Sequence, residues 1–492
     1  MKLFLFYAML PQRLQKIVAL LSLSIQKLIG EICSYFEQQL AQKEARIQEL
    51  ENQLSKNSQN SSKPPSTDNP YKDKPEPKNL RKKTKRKVGG QEGHKGHNLK
   101  MVETPDHIKV HRVSRCECCG EDLSDCGVKK TYRRQVYDIP PLQLEVTEHQ
   151  AEVKKCSCGH ETRASFPVGV NHYVQYGSNI KGFLVYLQNY QLLPYERSAE
   201  LIEDVFQHRL STGTLNNTQK YAFEQLATFE EQLKALLTLA TIAGFDETGF
   251  RVMAKCWWLH SCSTEDHAYY EVHQKRGNDA MDDIGILPDF EGIAIHDFWK
   301  SYLKYECTHG LCNAHLLREL KFIKERFKQD WADELAALLC KMKKVRDRAV
   351  LKGKSSLSKQ TLRKYQKRYD LIIQQGFEAN PFTPPKVKKP GPVAKTKPLN
   401  LLERMRDFKD DIIRFLVDFQ VPFDNNFSER DIRMMKLKQK ISGCFRSKKG
   451  AQYFARIRSY IMTARKQGVN VFEALVDLFE DNNTYSKLVN SA

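Results

Sequence analysis

The chain has 492 residues, 40% of them hydrophobic, and carries 79 Lys plus Arg against 59 Asp plus Glu, a formal net charge of +20 with a pI near 9.2. That length exceeds what one hydrophobic core usually serves, and the apolar content excludes a wholly disordered chain, so several folded domains are expected. The basic excess points to an acidic polymer as partner, nucleic acid first. No apolar run approaches the ~18 residues that a membrane span needs. The opening MKLFLFYAML is followed by Pro11, Gln12 and Arg13 with no small-residue cleavage site, so it reads as helix rather than as a secretory signal. Thirteen cysteines over this length are too sparse for a disulfide framework and suit a reducing, cytoplasmic setting.

Residues 1–56 follow a helical pattern, with Leu40, Ile47 and Leu54 one heptad apart and Leu50 between. This spacing suits a short coiled coil or a helical hairpin that dimerises, and equally suits packing against the protein's own body. Residues 57–101 are rich in Ser, Asn, Pro, Lys and Gly and have almost nothing to bury, so they read as a flexible linker. Inside it Lys78, Arg81, Lys82, Lys83, Lys85, Arg86 and Lys87 form a basic arm of the kind that tracks DNA phosphates. A solvated tail is the plainer reading.

Residues 102–170 read as a small β module, with strand-like alternation in QVYDIPPLQLEVTEHQAEVKKC. Cys116 and Cys119 on one Gly-ended knuckle, and Cys156 and Cys158 on another, supply four thiolates that can close a tetrahedron around Zn²⁺. The metal would contribute folding energy to a module with little core. The second knuckle is CxC rather than CxxC, Cys118, Cys126 and His160 are competing ligands, and reduced structural cysteines are the plain alternative. Residues 171–238 are helical again, with Ser211 or Thr212 as a cap, and read as a lead-in to the next domain.

That domain spans 239–445. TIAGFDETG and GIAIHDFWKSY are short apolar runs bounded by glycine and polar residues, read as buried strands that deliver Asp246 and Asp297 to their ends. Between them CWWLHSCS and AYYEVHQ read as two antiparallel strands and DDIGILPDF as a helical stretch. YECTHGL follows as a fifth strand, then a helix on which Cys312 and His315, three apart, share a face. Residues from about 320 to 420 are charged and helical, with the proline-rich basic loop NPFTPPKVKKPGPVAKTKP among them. In FDNNFSERDIRMM, Asn425, Asn426 and Ser428 are caps, Ser428 and Asp431 have capping-box spacing, and Glu429 falls in the first helical turn. Residues 446–492 form a helical C-terminal segment.

Three carboxylates converging on one point repel one another, so such a cluster ordinarily holds Mg²⁺ (or Mn²⁺), and a pair of such ions serves phosphoryl transfer. On their own, Asp246, Asp297 and Glu429 are equally well read as turn residues and a helix-dipole partner. Arg430 and Arg433 follow Glu429 and are placed to hold phosphates, although Arg433 is also spaced to pair with Glu429.

The runs FDETGF, IAIHDFWKSY, LCNAHLLREL and DNNFSERDIRMMKLKQKISGCFRSKKGA, in this order, resemble the transposases of the IS66 insertion-sequence family. The likeness runs from SKNSQNSSKPPSTD to ARKQGVNVFEALVDLF. It implies a multidomain α+β protein: an N-terminal helical segment, a zinc-finger-like DNA-binding module, and an RNase H-like catalytic α/β domain with a helical insertion. It also implies an Asp-Asp-Glu triad of Asp246, Asp297 and Glu429 with Mg²⁺ (or Mn²⁺), and a supporting role near the site for Cys312 and His315. The implied partners are DNA, as terminal inverted repeats and target, a second copy of the chain on that DNA, and companion proteins of the element; no membrane is implied. Two other readings stand beside it: a non-catalytic DNA-binding protein derived from a transposase, and an RNase H-like nuclease.

Overall fold

The computed structural model describes residues 21–57, 60–61, 99–382, 395–480 and 485–490. The basic arm of Arg81, Lys82, Lys83, Lys85, Arg86 and Lys87 lies outside the described residues, as does most of the proline-rich basic loop. The chain divides into two compact units, one of Pro70–Arg163 with Glu200–Leu210 and the other of the remainder.

In the smaller unit the only regular pairing among the described residues is a two-stranded ribbon, β1 (Val153–Lys155) against β2 (Glu161–Arg163), preceded in the chain by α1 (Leu23–Leu54) of the larger unit. The alternating stretch 135–152 forms no strand, which corrects the sequence expectation. Its apolar side chains stay in water, Val136 at 89% and Val146 at 90% exposed, and Pro140 and Pro141 remove two backbone donors in the middle of the run. Alternation alone does not make a strand where no partner edge and no core receive it.

In the larger unit α1 runs 32 residues with Leu40, Ile47, Leu50 and Leu54 exposed. Its C-terminal end is tied to the body: Arg326 pairs with Glu51 and donates Nε to Asn52 Oδ1 at 3.1 Å. The helical lead-in comprises α2 (Ser178–Val185), α3 (Tyr195–Phe206, whose residues from Glu200 onward fall in the smaller unit), α4 (Thr212–Gln225) and α5 (Ala227–Thr238), with Ser211 capping α4 by accepting from Thr214 N at 3.0 Å.

The sheet follows. β3 (Ile242–Val252), β4 (Lys255–Ser263) and β5 (Ala268–His273) are an antiparallel meander; after α6 (Asn278–Ile284), β6 (Ile293–His296) and β7 (Thr308–Leu311) add in parallel, giving the order β5-β4-β3-β6-β7. Five helices come next: α7 (Asn313–Phe327), α8 (Asp330–Leu351), α9 (Lys359–Ala379), α10 (Lys397–Asp407) and α11 (Lys409–Val417). Leu320, Leu335, Tyr369 and Leu402 pack them into a core of their own that reaches Ile295 and Leu311 on the sheet. The chain then returns as α12 (Asn426–Ser442), α13 (Lys448–Lys466), α14 (Val471–Phe479) and α15 (Tyr485–Asn490).

The sheet is covered on both faces, as its near-continuous apolar strands require. Ala243, Phe245 and Tyr269 face α5 and α13 in one cluster, while Phe250, Leu259 and Tyr270 face Ile432 and Met435 of α12 in another. The edge of β5 is not left open: Tyr270 N donates to Ser459 Oγ at 2.9 Å and Ala268 N to Thr463 Oγ1 at 3.2 Å, both on α13. No helix among the described residues is long and apolar enough to cross a membrane.

Candidate active site and cysteine knuckles

β3 and β6 run side by side, pairing Ile242 with Ile293, Ala243 with Ala294 and Gly244 with Ile295. Continuing that register by two residues sets Asp246 opposite Asp297, which directly follows β6. Asp246 itself lies within β3 rather than at its end, a correction to the sequence expectation, because β3 runs on to Val252 paired with β4. The Asp246 carboxyl is held well above the usual carboxylate range, first by burial and then by the negative charges of Glu247, Asp297 and Glu429. Asp246 is therefore within electrostatic reach of both Asp297 and Glu429, although the oxygens of the three carboxylates do not all come within 4.8 Å of one another. That crowding is relieved by a proton or by a cation, and the all-oxygen donor set fits a hard divalent ion.

Glu429 arrives because α12 presses its N-terminus onto β3. Gly244 permits this, since a Cβ there would fall inside contact distance of Ser428 Oγ, Asn425 Oδ1 and the Phe427 ring. Asn425 Nδ2 donates to Phe245 O at 2.9 Å, one residue before Asp246. The expected capping box does not form. Asn425 occupies the N-cap without a side-chain cap bond, and Ser428 Oγ is buried with no hydrogen-bond partner. Asp431 turns inward to accept from Ser263 Oγ and to pair with Lys466, each at 3.0 Å. Tertiary contacts have taken the side chains that local spacing assigned to the helix end.

Around Glu429 the structure gathers a thiol, an imidazole and two guanidinium groups. Cys312 Sγ lies 3.9 Å and His315 Nδ1 3.7 Å from Oε1, while Arg318 lies 3.9 Å and Arg433 3.6 Å from Oε2. Cys312 is the N-cap of α7 rather than a residue within it, so it does not share a helical face with His315 in the way its spacing implied. Both nevertheless meet at Glu429, and the ligand atoms of all three residues lie within 4.8 Å of one another. Burial pushes the Cys312 thiol up to about 12, and its sulfur accepts from Asn425 N at 3.2 Å. Arg318 was not singled out from sequence, although its position three residues after His315 puts it on the same face of α7. Arg433 takes the pairing place on Glu429, and Arg430 donates Nε to Asn426 O of its own helix at 3.1 Å. Both arginines remain exposed.

A second charged group was also missed. Glu247, the neighbour of Asp246, is buried and bonded by Arg276 and by the Tyr302 hydroxyl. No local motif announces it, because its partners come from 29 and 55 residues away. His296 turns to the opposite face from Asp297, stacks on Tyr302 with ring centroids 4.6 Å apart, and is pushed down to about 3 by burial.

The two knuckles form as separate turns. Gly120 N donates to Cys116 O and Gly159 N to Cys156 O, each at 2.9 Å, with both glycines at positive φ, +78° and +88°. Backbone N–H groups of Cys119 and Cys118 lower the Cys116 thiol, and that of Cys158 lowers Cys156, which favours the thiolate a metal requires. The structure does not draw the knuckles together to ligand distance. Among the described residues the only group of three or more such ligand atoms within 4.8 Å is Cys312, His315 and Glu429.

The chain matches, over residues 114–159, the zinc-finger binding domain of transposase IS66, and over residues 11–100 a family of unknown function. No curated protein matches it. The family Transposase IS66 matches residues 173–453, more than half of the chain and the whole of the carboxylate site. The chain belongs to the IS66 family of transposases.

Proposed function

We propose that the chain cleaves the ends of its element and joins them to target DNA at a triad of Asp246, Asp297 and Glu429. The observation that carries this reading is that Asp246, within β3, lies near enough to Asp297 just after β6 and to Glu429 at the start of α12 for their charges to add to burial in lifting its carboxyl. The sheet order, with three antiparallel strands followed by two parallel ones, supports an RNase H-like fold for the domain, and the five helices α7 to α11 support a helical insertion between the second Asp and the Glu.

Asp246, Asp297 and Glu429 would hold Mg²⁺ or Mn²⁺. When bound, a pair of such ions supplies the positive charge that activates the attacking oxygen and stabilises the leaving one. The chain's own residues orient that chemistry. Glu429 is fixed by the Gly244 and Asn425 contacts, and Arg318 and Arg433 stand beside it as cations for the phosphate being cut. Water first attacks a phosphodiester at the element's end, and the strand leaves with a free 3′-hydroxyl. That hydroxyl then attacks a target phosphodiester, forming the new bond while a target 3′-oxygen departs with the proton. No covalent bond to the protein is needed. Cys116, Cys119, Cys156 and Cys158 would hold Zn²⁺, and with the basic arm of residues 81–87 would engage the terminal repeats. A second protomer would hold the other end.

The test is strand cleavage and joining with Mg²⁺ on labelled DNA from the ends flanking the coding sequence, comparing wild type with Asp297→Asn. Joined product from the wild type, and none from a variant that still binds DNA, is the expected result. Hydrolysis without joining would move the assignment to a nuclease, and binding alone to a non-catalytic protein.

A further inference from the structure

Glu247 follows Asp246 on β3 and turns to the other face, where its side chain is 2% exposed. A carboxylate at that depth is costly unless charge and hydrogen bonds answer it. Arg276 donates Nε at 2.9 Å and Nη2 at 2.6 Å to Oε1, and the Tyr302 hydroxyl donates to Oε2. The guanidinium lies between two indole rings, 4.8 Å from the centroid of Trp258 on β4 and 4.1 Å from that of Trp299. Trp299 in turn donates its backbone N–H to Asp297 Oδ1 at 2.8 Å, and Tyr302 packs edge-on against Trp299. Both aromatic residues belong to the segment that leaves β6 directly after Asp297.

Apolar side chains of the same size would fill this space without the desolvation cost. The planar guanidinium, bonded through Nε and Nη2 to Oε1 and near both rings, fixes a direction that an ammonium does not reproduce. We propose that Glu247, Arg276 and Tyr302 are positioning residues: a clamp that locks the segment after Asp297 onto β3 and so fixes the spacing of Asp246 and Asp297 for divalent-ion binding. This rests on the carboxylate-site reading above. In this role the trio ligates no ion itself and acts through the positions of the two aspartates.

The experiment measures Mn²⁺ binding to the full-length protein on element-end DNA, by the electron paramagnetic resonance of the free ion, with strand cleavage and thermal unfolding alongside. Asp297→Asn is expected to weaken Mn²⁺ binding, which establishes the carboxylate site independently of turnover. Arg276→Lys keeps the charge but not the fork, and is expected to weaken Mn²⁺ binding and cleavage together by roughly 10- to 100-fold, the usual cost of losing an outer-shell partner, with DNA affinity unchanged. Tyr302→Phe keeps the ring contacts and loses one hydrogen bond. It is expected to shift Mn²⁺ binding in the same direction by less, and keeps the test decisive should Arg276→Lys not fold. A lowered melting temperature with wild-type Mn²⁺ affinity in Arg276→Lys and Tyr302→Phe assigns the trio to stability alone and overturns the clamp. Equal Mn²⁺ binding by wild type and Asp297→Asn overturns the carboxylate-site reading itself, and the clamp with it.

Discussion

Gly244 sets how closely the N-terminus of α12 approaches β3, and with it where Glu429 stands. Adding one methyl group there forces Asn425, Phe427 and Ser428 away from the strand. Gly244→Ala is therefore expected to cost about 1 to 3 kcal/mol of stability, the ordinary price of overpacking, and to lower strand cleavage by roughly 100-fold through displacement of Glu429. Thermal unfolding and single-turnover cleavage read the two effects separately; an unchanged cleavage rate would show that Glu429 does not depend on this contact. His260 gives a pH prediction. Its ring is buried, shares a hydrogen bond with Lys275 O at 3.3 Å, and is pushed down to about 4, chiefly by burial. The unfolded ring titrates near 6.5, so between about 6.5 and 4 the unfolded chain binds more protons and stability falls as the pH is lowered. Above that window His260 contributes no pH dependence. His260→Gln is expected to flatten the acid limb of the melting-temperature profile in this range.

The elements differ in how legible they are in the sequence. The strands that lead to Asp246 and Asp297, the antiparallel pair between them and the strand of Thr308–Leu311 are readable in place because buried apolar residues mark them. The length of β3 is not, since its second half, Glu247–Val252, is held by pairing with β4 rather than by an apolar run. The stretch 135–152 misleads because alternation describes a strand's faces but not whether a partner edge exists. The start of α12 misleads for the opposite reason: Asp431 and Asn425 have local cap chemistry, yet Ser263, Lys466 and the Phe245 carbonyl claim them. Arg318, Glu247 and Arg276 were silent because their roles exist only between elements. The cysteine knuckles are legible as turns, while their closure around a metal is not a property of either turn. Chelation of zinc, or Cys116→Ser, is accordingly expected to lower bound zinc by one ion per protomer and weaken DNA binding, leaving the unfolding of the larger unit in place. Metal analysis together with calorimetry checks this, and unchanged zinc content would remove Cys116 from the ligand set.

At the scale of the whole molecule, the net charge and the proposed site point to the same substrate class. A net charge of +20 favours an acidic polymer such as DNA, and the carboxylates of the proposed site, which oppose that attraction locally, are those a divalent ion would neutralise. The helical block between β7 and α12 shares a core with Ile295 and Leu311 of the sheet, and that packing holds α7, with its N-cap Cys312, His315 and Arg318, against Glu429. The proposed chemistry requires Asp246 as an ion ligand, and the most direct measurement is metal rescue of Asp246→Cys on element-end DNA. A thiolate is a poor ligand for Mg²⁺ and a better one for Mn²⁺. The predicted result is wild-type cleavage in either ion, and a variant silent in Mg²⁺ that regains cleavage in Mn²⁺. Wild-type rates from Asp246→Cys in Mg²⁺ would contradict the central claim.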